Sequence, residues 1–178
     1  MSALWLITGT TGAGKTTVSL ALCHRYPRAV HIPVDDVREW VKSGYASPVE
    51  PNVPQDELTS QFLLARGAAV RTALEYVAAG YAAVIDDVIT NYAREAYQPA
   101  IQAGARRVVL LPDVEVALER NRTRTNKTFD TAILESVCRE IDERLRRAQL
   151  DKKGWTVIDS SALSVAKTVD AIIARCGL

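Results

Sequence analysis

Residues 9–16 read Gly-Thr-Thr-Gly-Ala-Gly-Lys-Thr and complete the pattern G-x-x-x-x-G-K-T, between a short apolar run at 4–7 and a helical pattern at 18–26. Small residues in this loop let backbone N–H groups close around a polyphosphate, and the following helix adds its positive N-terminal end. Lys15 can then reach the β and γ phosphates, and the Thr16 hydroxyl can ligate Mg²⁺. A glycine-rich turn that binds nothing would not need all four fixed positions. The motif therefore predicts that the chain binds a nucleoside triphosphate.

The composition is that of an ordinary globular domain, with 178 residues, 48% of them hydrophobic, and a formal net charge of +1. This length suits one domain with its own core, and the charge neither favours nor excludes a nucleic-acid partner. The three cysteines are scattered without C-x-x-C spacing, which indicates neither a disulfide framework nor a zinc site. No apolar stretch is long enough to span a bilayer, so we expect a cytoplasmic protein with no membrane partner.

Short apolar runs alternate with helix-like segments, which is typical of an α/β domain with a parallel sheet. We predict strands near residues 3–8, 29–34, 82–87, 106–111 and 155–159. Helices are predicted near 15–26, 36–43, 55–79, 92–103, 113–121, 130–150 and 163–175. Because the strands are nearly continuous apolar runs, we expect helices to cover both faces of the sheet. The whole chain, residues 1–178, is predicted to form a single domain.

The second predicted strand ends in Val-Asp-Asp-Val-Arg at residues 34–38. Ligands of open α/β sheets collect at the carboxyl ends of the strands, so these polar residues lie beside the phosphate loop. Phosphoryl transfer to a hydroxyl needs a carboxylate that accepts the hydroxyl proton, and we assign that role to Asp35. Arg38 follows one helical turn later and can hold an anionic or polar part of the acceptor. The alternative is that Asp35 or Asp36 is a helix N-cap.

The third predicted strand also ends in paired acids, in Ala-Val-Ile-Asp-Asp-Val at residues 83–88. Such a strand in a phosphate-loop protein commonly brings a carboxylate to the Mg²⁺ shell. We expect Asp86 to serve the metal together with Thr16, and Asp87 to face the acceptor, although the sequence does not decide which acid does which. The alternative is a polar strand end that only starts a loop.

Residues 119–128 carry three arginines at alternate positions and resemble a cover for the triphosphate. Arginines there can neutralise charge on the transferring phosphoryl group and exclude water, with Arg124 acting in catalysis. The alternative is a solvated helix end whose basic residues complement the helix dipole. The expected nucleotide-binding set is Gly9, Thr10, Thr11, Gly12, Ala13, Gly14, Lys15, Thr16, Thr17, Arg120 and Arg124, with Lys15 also catalytic.

Two further features stand outside these motifs. The segment 43–55 holds three prolines and no periodicity, so it is either a surface connection or a loop that borders the acceptor pocket. His24 and His31 lie apart with no partner pattern, and we assign neither a role.

Together, these motifs resemble the small P-loop kinases. Chloramphenicol phosphotransferase is similar in its Val-Asp after strand two and its Ile/Val-Asp-Asp-Val at strand three. The 5′-hydroxyl polynucleotide kinases are similar in Asp-Asp-x-Arg, here residues 35–38, and in an Arg-x-x-x-Arg lid, here Arg120 and Arg124. Gluconate and shikimate kinases share the same frame. The resemblance implies a three-layer α/β/α fold of the P-loop NTPase type, with five parallel strands in the order 2-3-1-4-5.

The resemblance also implies roles for particular residues. The first acid of the strand-two motif acts as general base in both similar branches, which agrees with Asp35. In the polynucleotide kinases the arginine of that motif meets substrate phosphate, which implies the same for Arg38. The loop at 157–161 lies where these kinases often flank the adenine.

The expected function is an ATP- and Mg²⁺-dependent kinase that phosphorylates a hydroxyl of a small molecule. One alternative is a kinase for the 5′ end of a polynucleotide, which the near-neutral charge does not favour. A second is a nucleotide-binding regulatory module without phosphotransfer, which would need no carboxylate on the acceptor side.

Overall fold

A parallel sheet of five strands forms the centre of the structure, a computed structural model that describes residues 2–48, 50, 52–89, 95–123 and 135–178. The strands are β1 (Ala3–Gly9), β2 (Ala29–Pro33), β3 (Ala82–Asp86), β4 (Arg106–Leu110) and β5 (Thr156–Ile158). They are ordered β2-β3-β1-β4-β5, and every neighbouring pair is parallel. The predicted sheet and its order are confirmed.

Helices cover both faces of this sheet. Their bounds in the described chain are α1 (Lys15–Cys23), α2 (Val34–Arg38), α3 (Gln55–Ala78), α4 (Gln98–Gln102), α5 (Val114–Arg122), α6 (Glu135–Arg147) and α7 (Val165–Cys176), with a short 3₁₀ helix at Leu150–Lys153. None of these helices is both long enough and apolar enough to cross a membrane.

The central strand β1 shows why the fold has three layers. Successive side chains of a strand point to opposite faces, so Leu4 and Leu6 enter one apolar layer while Trp5 and Ile7 enter the other. The first layer is closed by α3, through alanines at one helical face, and the second by α1 and α7. Trp5, Leu6 and Ile7 are each 0% exposed, as a strand covered on both faces requires. The α/β/α architecture is confirmed.

The helix after β2 differs from the prediction of residues 36–43. It begins at Val34 directly after Pro33, which caps it without a side-chain hydrogen bond, and it ends at Arg38. Asp35 and Asp36 therefore lie in the first helical turn, and the alternative that one of them is the N-cap is wrong. Beyond Arg38 the chain turns more tightly, with the Val41 N–H donating to the Arg38 carbonyl three residues earlier.

Candidate active site

The phosphate loop joins β1 to α1 and has the backbone that its glycines permit. Gly12 and Gly14 adopt φ values of 77° and 89°, in the left-handed region that favours glycine. Lys15 begins α1, and its Nζ donates to the carbonyl oxygens of Gly9 at 3.1 Å and Thr10 at 3.0 Å. The ammonium group therefore lies across the loop itself.

The phosphate loop also contacts the two helices that follow β4, α5 and α6. The Thr10 hydroxyl donates to the carbonyl oxygen of Cys138 in α6 at 2.9 Å, so a nucleotide contact from Thr10 would come from its backbone. Gly12 lies against the Ala117 carbonyl of α5, where a β-carbon would overlap the oxygen. Both α5 and α6 thereby fix the shape of the loop.

Gly12→Ala should be clearly more damaging than Gly14→Ala. Both alanines meet a cost of about 1–2 kcal/mol for the left-handed backbone. At Gly12 the overlap with Ala117 adds roughly 1–3 kcal/mol of overpacking. At Gly14, by contrast, no non-neighbouring atom of the described residues lies within 4 Å of a β-carbon. The free energy of unfolding of both variants, measured in urea, checks the difference, and equal losses would contradict it.

Oxygen atoms suited to Mg²⁺ meet at the ends of β3 and of the loop. The Thr16 hydroxyl lies 3.4 Å from Asp86 Oδ1, and Asp86 Oδ2 lies 2.5 Å from His31 Nε2. Among the described residues no group of three or more His, Cys, Asp or Glu side chains could hold a metal ion. This donor set fits Mg²⁺, which commonly takes one or two carboxylates and completes its shell with water and substrate phosphates. The predicted pairing of Thr16 with Asp86 stays a prediction.

Arg38 of α2 is buried beside segment 43–55. Its guanidinium donates to the Tyr45 hydroxyl at 2.7 Å and to the Ala46 carbonyl at 3.4 Å, and it stacks 4.1 Å from the centre of the Phe62 ring. Within the described part of the chain, Arg38 is in none of the ion pairs with a carboxylate, and its Nε has no hydrogen-bond partner. A cation is thus held in a buried position mainly by aromatic and carbonyl groups.

Asp87 belongs to a buried network. Its Oδ2 accepts hydrogen bonds from Arg66 Nε of α3 at 2.7 Å and from the Tyr97 hydroxyl at 2.8 Å. The Arg66 and Asp87 side chains are each 4% exposed. Burial, and then the negative charge of Asp87, raise the pKa of Tyr97 well above its usual value, so the phenol stays protonated and donates. The predicted contact of Asp87 with an acceptor stays a prediction.

The proline-rich segment 43–55 is tied to α3 on both sides of Tyr45. Gln61 accepts a hydrogen bond from the Ala46 N–H at 2.8 Å and donates to the Gly44 carbonyl at 2.6 Å. These bonds hold Tyr45 beside Arg38. Neither Gln61, Phe62 nor Arg66 was assigned a role from the sequence, although Phe62 and Arg66 lie four residues apart and so share a helix face.

Arg120 of α5 connects this helix to the loop after β5. Its guanidinium donates to the carbonyl oxygens of Ser160 at 2.9 Å and Ser161 at 3.3 Å. The second lid arginine, Arg124, lies outside the described residues, as does the rest of the predicted lid up to residue 128.

One cleft of about 1510 Å³ brings these groups together. Of the predicted site residues it is lined by Thr11, Gly12, Ala13, Gly14, Lys15, Thr16, Thr17, Asp35, Arg38, Asp86, Asp87 and Arg120. Segment 43–55 adds Tyr45, Ser47, Pro48, Glu50 and Gln55 to the lining, and α6 adds Val137, Glu140, Ile141 and Arg144. The cleft thus joins the phosphate loop to the acidic ends of β2 and β3.

Sequence comparison identifies the family of the chain. The sequence profile of the AAA domain matches residues 4–164. The chain belongs to the AAA domain family. No curated protein sequence matches it at a significant level.

Solved structures share the fold of this AAA domain at low sequence identity. The tunicamycin resistance protein of Deinococcus radiodurans has a TM-score of 0.63 and 22% identity, with 100% of this chain and 97% of that chain covered. A gluconokinase from Sinorhizobium meliloti 1021 has a TM-score of 0.62 and 20% identity, over 97% and 92% of the two chains. A shikimate kinase from Bacteroides thetaiotaomicron has a TM-score of 0.70 and 14% identity, over 99% of each chain. The domain has the fold of the small P-loop kinases.

Proposed function

We propose that the chain is an ATP-dependent phosphotransferase that moves the γ-phosphoryl group to a hydroxyl of a small molecule. The observation that carries this proposal is the shared cleft, which is lined by Lys15 and Thr16 of the phosphate loop and by Asp35 and Arg38 of α2. A module that only binds nucleotide has no need of a carboxylate and a buried arginine opposite the phosphates. The likeness of the fold to a gluconokinase and a shikimate kinase supports the same reaction class.

The donor half of the cleft is the phosphate loop. In this proposal, backbone N–H groups of residues 9–17 hold the phosphates, and Lys15 turns from the loop carbonyls to the β and γ phosphates. Thr16 and Asp86 would hold Mg²⁺, which neutralises charge on the phosphates when bound. Arg120 supports the adenine side through its bonds to the Ser160 and Ser161 carbonyls.

The acceptor half supplies a base. Asp35 lies in the first turn of α2 and lines the cleft, whereas the adjacent Asp36 does not. We assign Asp35 as the carboxylate that orients the acceptor hydroxyl and accepts its proton as the oxygen attacks the γ-phosphorus.

The surroundings of Arg38 indicate what kind of acceptor this half receives. Among the described residues the buried Arg38 guanidinium has no carboxylate at salt-bridge distance. Burying such a charge is costly, and a charge-assisted hydrogen bond to a ligand would offset that cost. We therefore expect the acceptor to carry an anionic group beside its hydroxyl. Asp87 would form the wall next to this group, with its orientation set by Arg66.

An acceptor screen that measures ADP release tests the proposal. Small alcohols would be offered in matched pairs, one member with a carboxylate or phosphate and the other with a neutral amide, together with oligonucleotides that carry a free 5′ hydroxyl. We expect turnover on an anionic small alcohol and much less on its neutral partner. Turnover on oligonucleotide ends alone would assign the chain to the polynucleotide kinases. ATP binding without transfer to any acceptor would overturn the kinase proposal.

The two lid arginines should affect different kinetic constants. We expect Arg124→Ala to lower kcat by about 10²-fold or more with little change in ATP affinity, because its charge would act on the transferring group. Arg120→Ala should instead weaken ATP binding, because its bonds fix the loop after β5. Arg122→Ala is the control, since Arg122 is half exposed and pairs with Glu135. Steady-state kinetics separate these effects, and a pure affinity loss in Arg124→Ala would contradict its catalytic role.

A further inference from the structure

His31 of the edge strand β2 contacts the carboxylate at the end of β3. Its Nε2 lies 2.5 Å from Asp86 Oδ2, and the two side chains are 11% and 7% exposed. In a hydrogen bond between these two atoms, Nε2 is the donor and the carboxylate oxygen is the acceptor. The other oxygen, Oδ1, is the one that lies 3.4 Å from the Thr16 hydroxyl. The two oxygens of Asp86 therefore have separate partners.

Because each oxygen of Asp86 has its own partner, His31 can fix the orientation of this carboxylate. We propose that His31 is a positioning residue that holds the Asp86 carboxylate with Oδ1 turned toward Thr16, ready for the divalent cation that accompanies the nucleotide. The inference rests on the proposed function, because it concerns the cation that a phosphotransferase binds with ATP. Outer partners of metal-binding carboxylates and histidines typically contribute 10–100-fold to metal affinity.

Two other titratable groups lie near the His31–Asp86 pair. Cys23 of α1 is close enough to Asp86 to interact with its charge. Burial, and then the negative charge of Asp86, raise the pKa of the Cys23 thiol to about 11. Asp36 of α2 is also near: partial burial and then the charges of Glu39, Asp35 and Asp86 raise its pKa, while His31 lowers it.

A purely structural role is the competing explanation, in which His31 only satisfies a buried carboxylate. The two explanations differ in what the loss of the imidazole changes. A structural role predicts lower stability and a general loss of ligand binding. A positioning role predicts weaker binding of the cation while binding of the nucleotide without metal is preserved.

The test measures Mn²⁺ and ADP binding by the full chain. ADP affinity without metal would be measured by titration calorimetry, and Mn²⁺ affinity of the protein–ADP complex by electron paramagnetic resonance of free Mn²⁺. We expect His31→Leu to weaken Mn²⁺ binding about 10-fold or more without changing metal-free ADP affinity. His31→Gln should retain the Mn²⁺ affinity of the wild type, because the amide nitrogen of glutamine can occupy the position of Nε2. His24→Leu is the matched control, since His24 is the other histidine of the chain and is exposed.

Two further variants keep the test decisive. If His31→Leu fails to fold, His31→Asn replaces it, because its amide is one methylene shorter than that of His31→Gln and does not reach Asp86. In an Asp86→Asn background, the His31 substitution should no longer change Mn²⁺ affinity. Unchanged Mn²⁺ affinity in His31→Leu or His31→Asn would overturn the positioning role and leave the proposed function standing. Wild-type protein that binds no ADP would overturn the proposed function, and this inference with it.

Discussion

Asp35→Asn should lower kcat by about 10²–10⁴-fold, the range expected when a general base is removed, with ATP affinity unchanged. The asparagine keeps the size and polarity of the side chain but cannot accept the hydroxyl proton. Because Asp35 lines the cleft from the first turn of a short helix, the substitution should not disturb the core. Steady-state kinetics with the acceptor found in the screen, together with calorimetric titration of ATP, measure both quantities.

Asp36→Asn is the control for this experiment. Asp36 is adjacent in sequence and lies in the same helical turn, but it is not part of the cleft lining. Its substitution should leave kcat close to that of the wild type. Asp35 would lose its assignment as general base if both variants were equally active, or if Asp36→Asn alone lost activity.

Arg66→Met should lower the free energy of unfolding by about 3–5 kcal/mol, the usual cost of breaking a buried ion pair from one side. The Arg66 and Asp87 side chains are both 4% exposed, so the substitution leaves the carboxylate buried beside the Tyr97 hydroxyl without its cation. Equilibrium unfolding in urea gives the difference, provided that the transition remains two-state.

Arg147→Met provides the matched comparison on the surface. Arg147 pairs with Glu143 in α6, but the two side chains are 77% and 60% exposed. Exposed pairs of this kind contribute little to stability, so the unfolding midpoint should hardly move. Similar losses in Arg66→Met and Arg147→Met would show that burial is not what makes the Arg66–Asp87 pair important.

The strands could be predicted to within one or two residues because the signal for each is local. Residues 82–85, for example, form an apolar run that ends at the acids 86 and 87, and β3 (Ala82–Asp86) coincides with this run. The exit from β2 was less predictable, since α2 begins at Val34 directly after Pro33, and a helix without a side-chain cap carries no N-cap signal. The last residue of α2, Arg38, is buried against Phe62 of α3, a contact that no local pattern contains.

The same distinction holds for the candidate site: motifs that are local in sequence could be predicted, and contacts between distant residues could not. The phosphate loop and the acids after β2 and β3 could be located because motif and strand end are adjacent in sequence. His31 could not, because its partner is 55 residues away and is met only when β2 lies beside β3. The sheet order, which the family resemblance implied, was the available signal: it predicts that β2 neighbours β3, and a polar residue near the end of either strand is then a candidate partner. Arg66 was missed for the related reason that its partner Asp87 lies on a different element.

Phe62 lies between two guanidinium groups, with Arg38 at 4.1 Å and Arg66 at 5.1 Å from the ring centre. Both arginines line the cleft, and Arg66 is also paired with the buried carboxylate of Asp87. We therefore expect a substitution of Phe62 to change both the lining of the cleft and the free energy of unfolding. A chimera with a related domain should therefore exchange residues 34–66 together, because Arg38 of α2 packs on the Phe62 ring of α3.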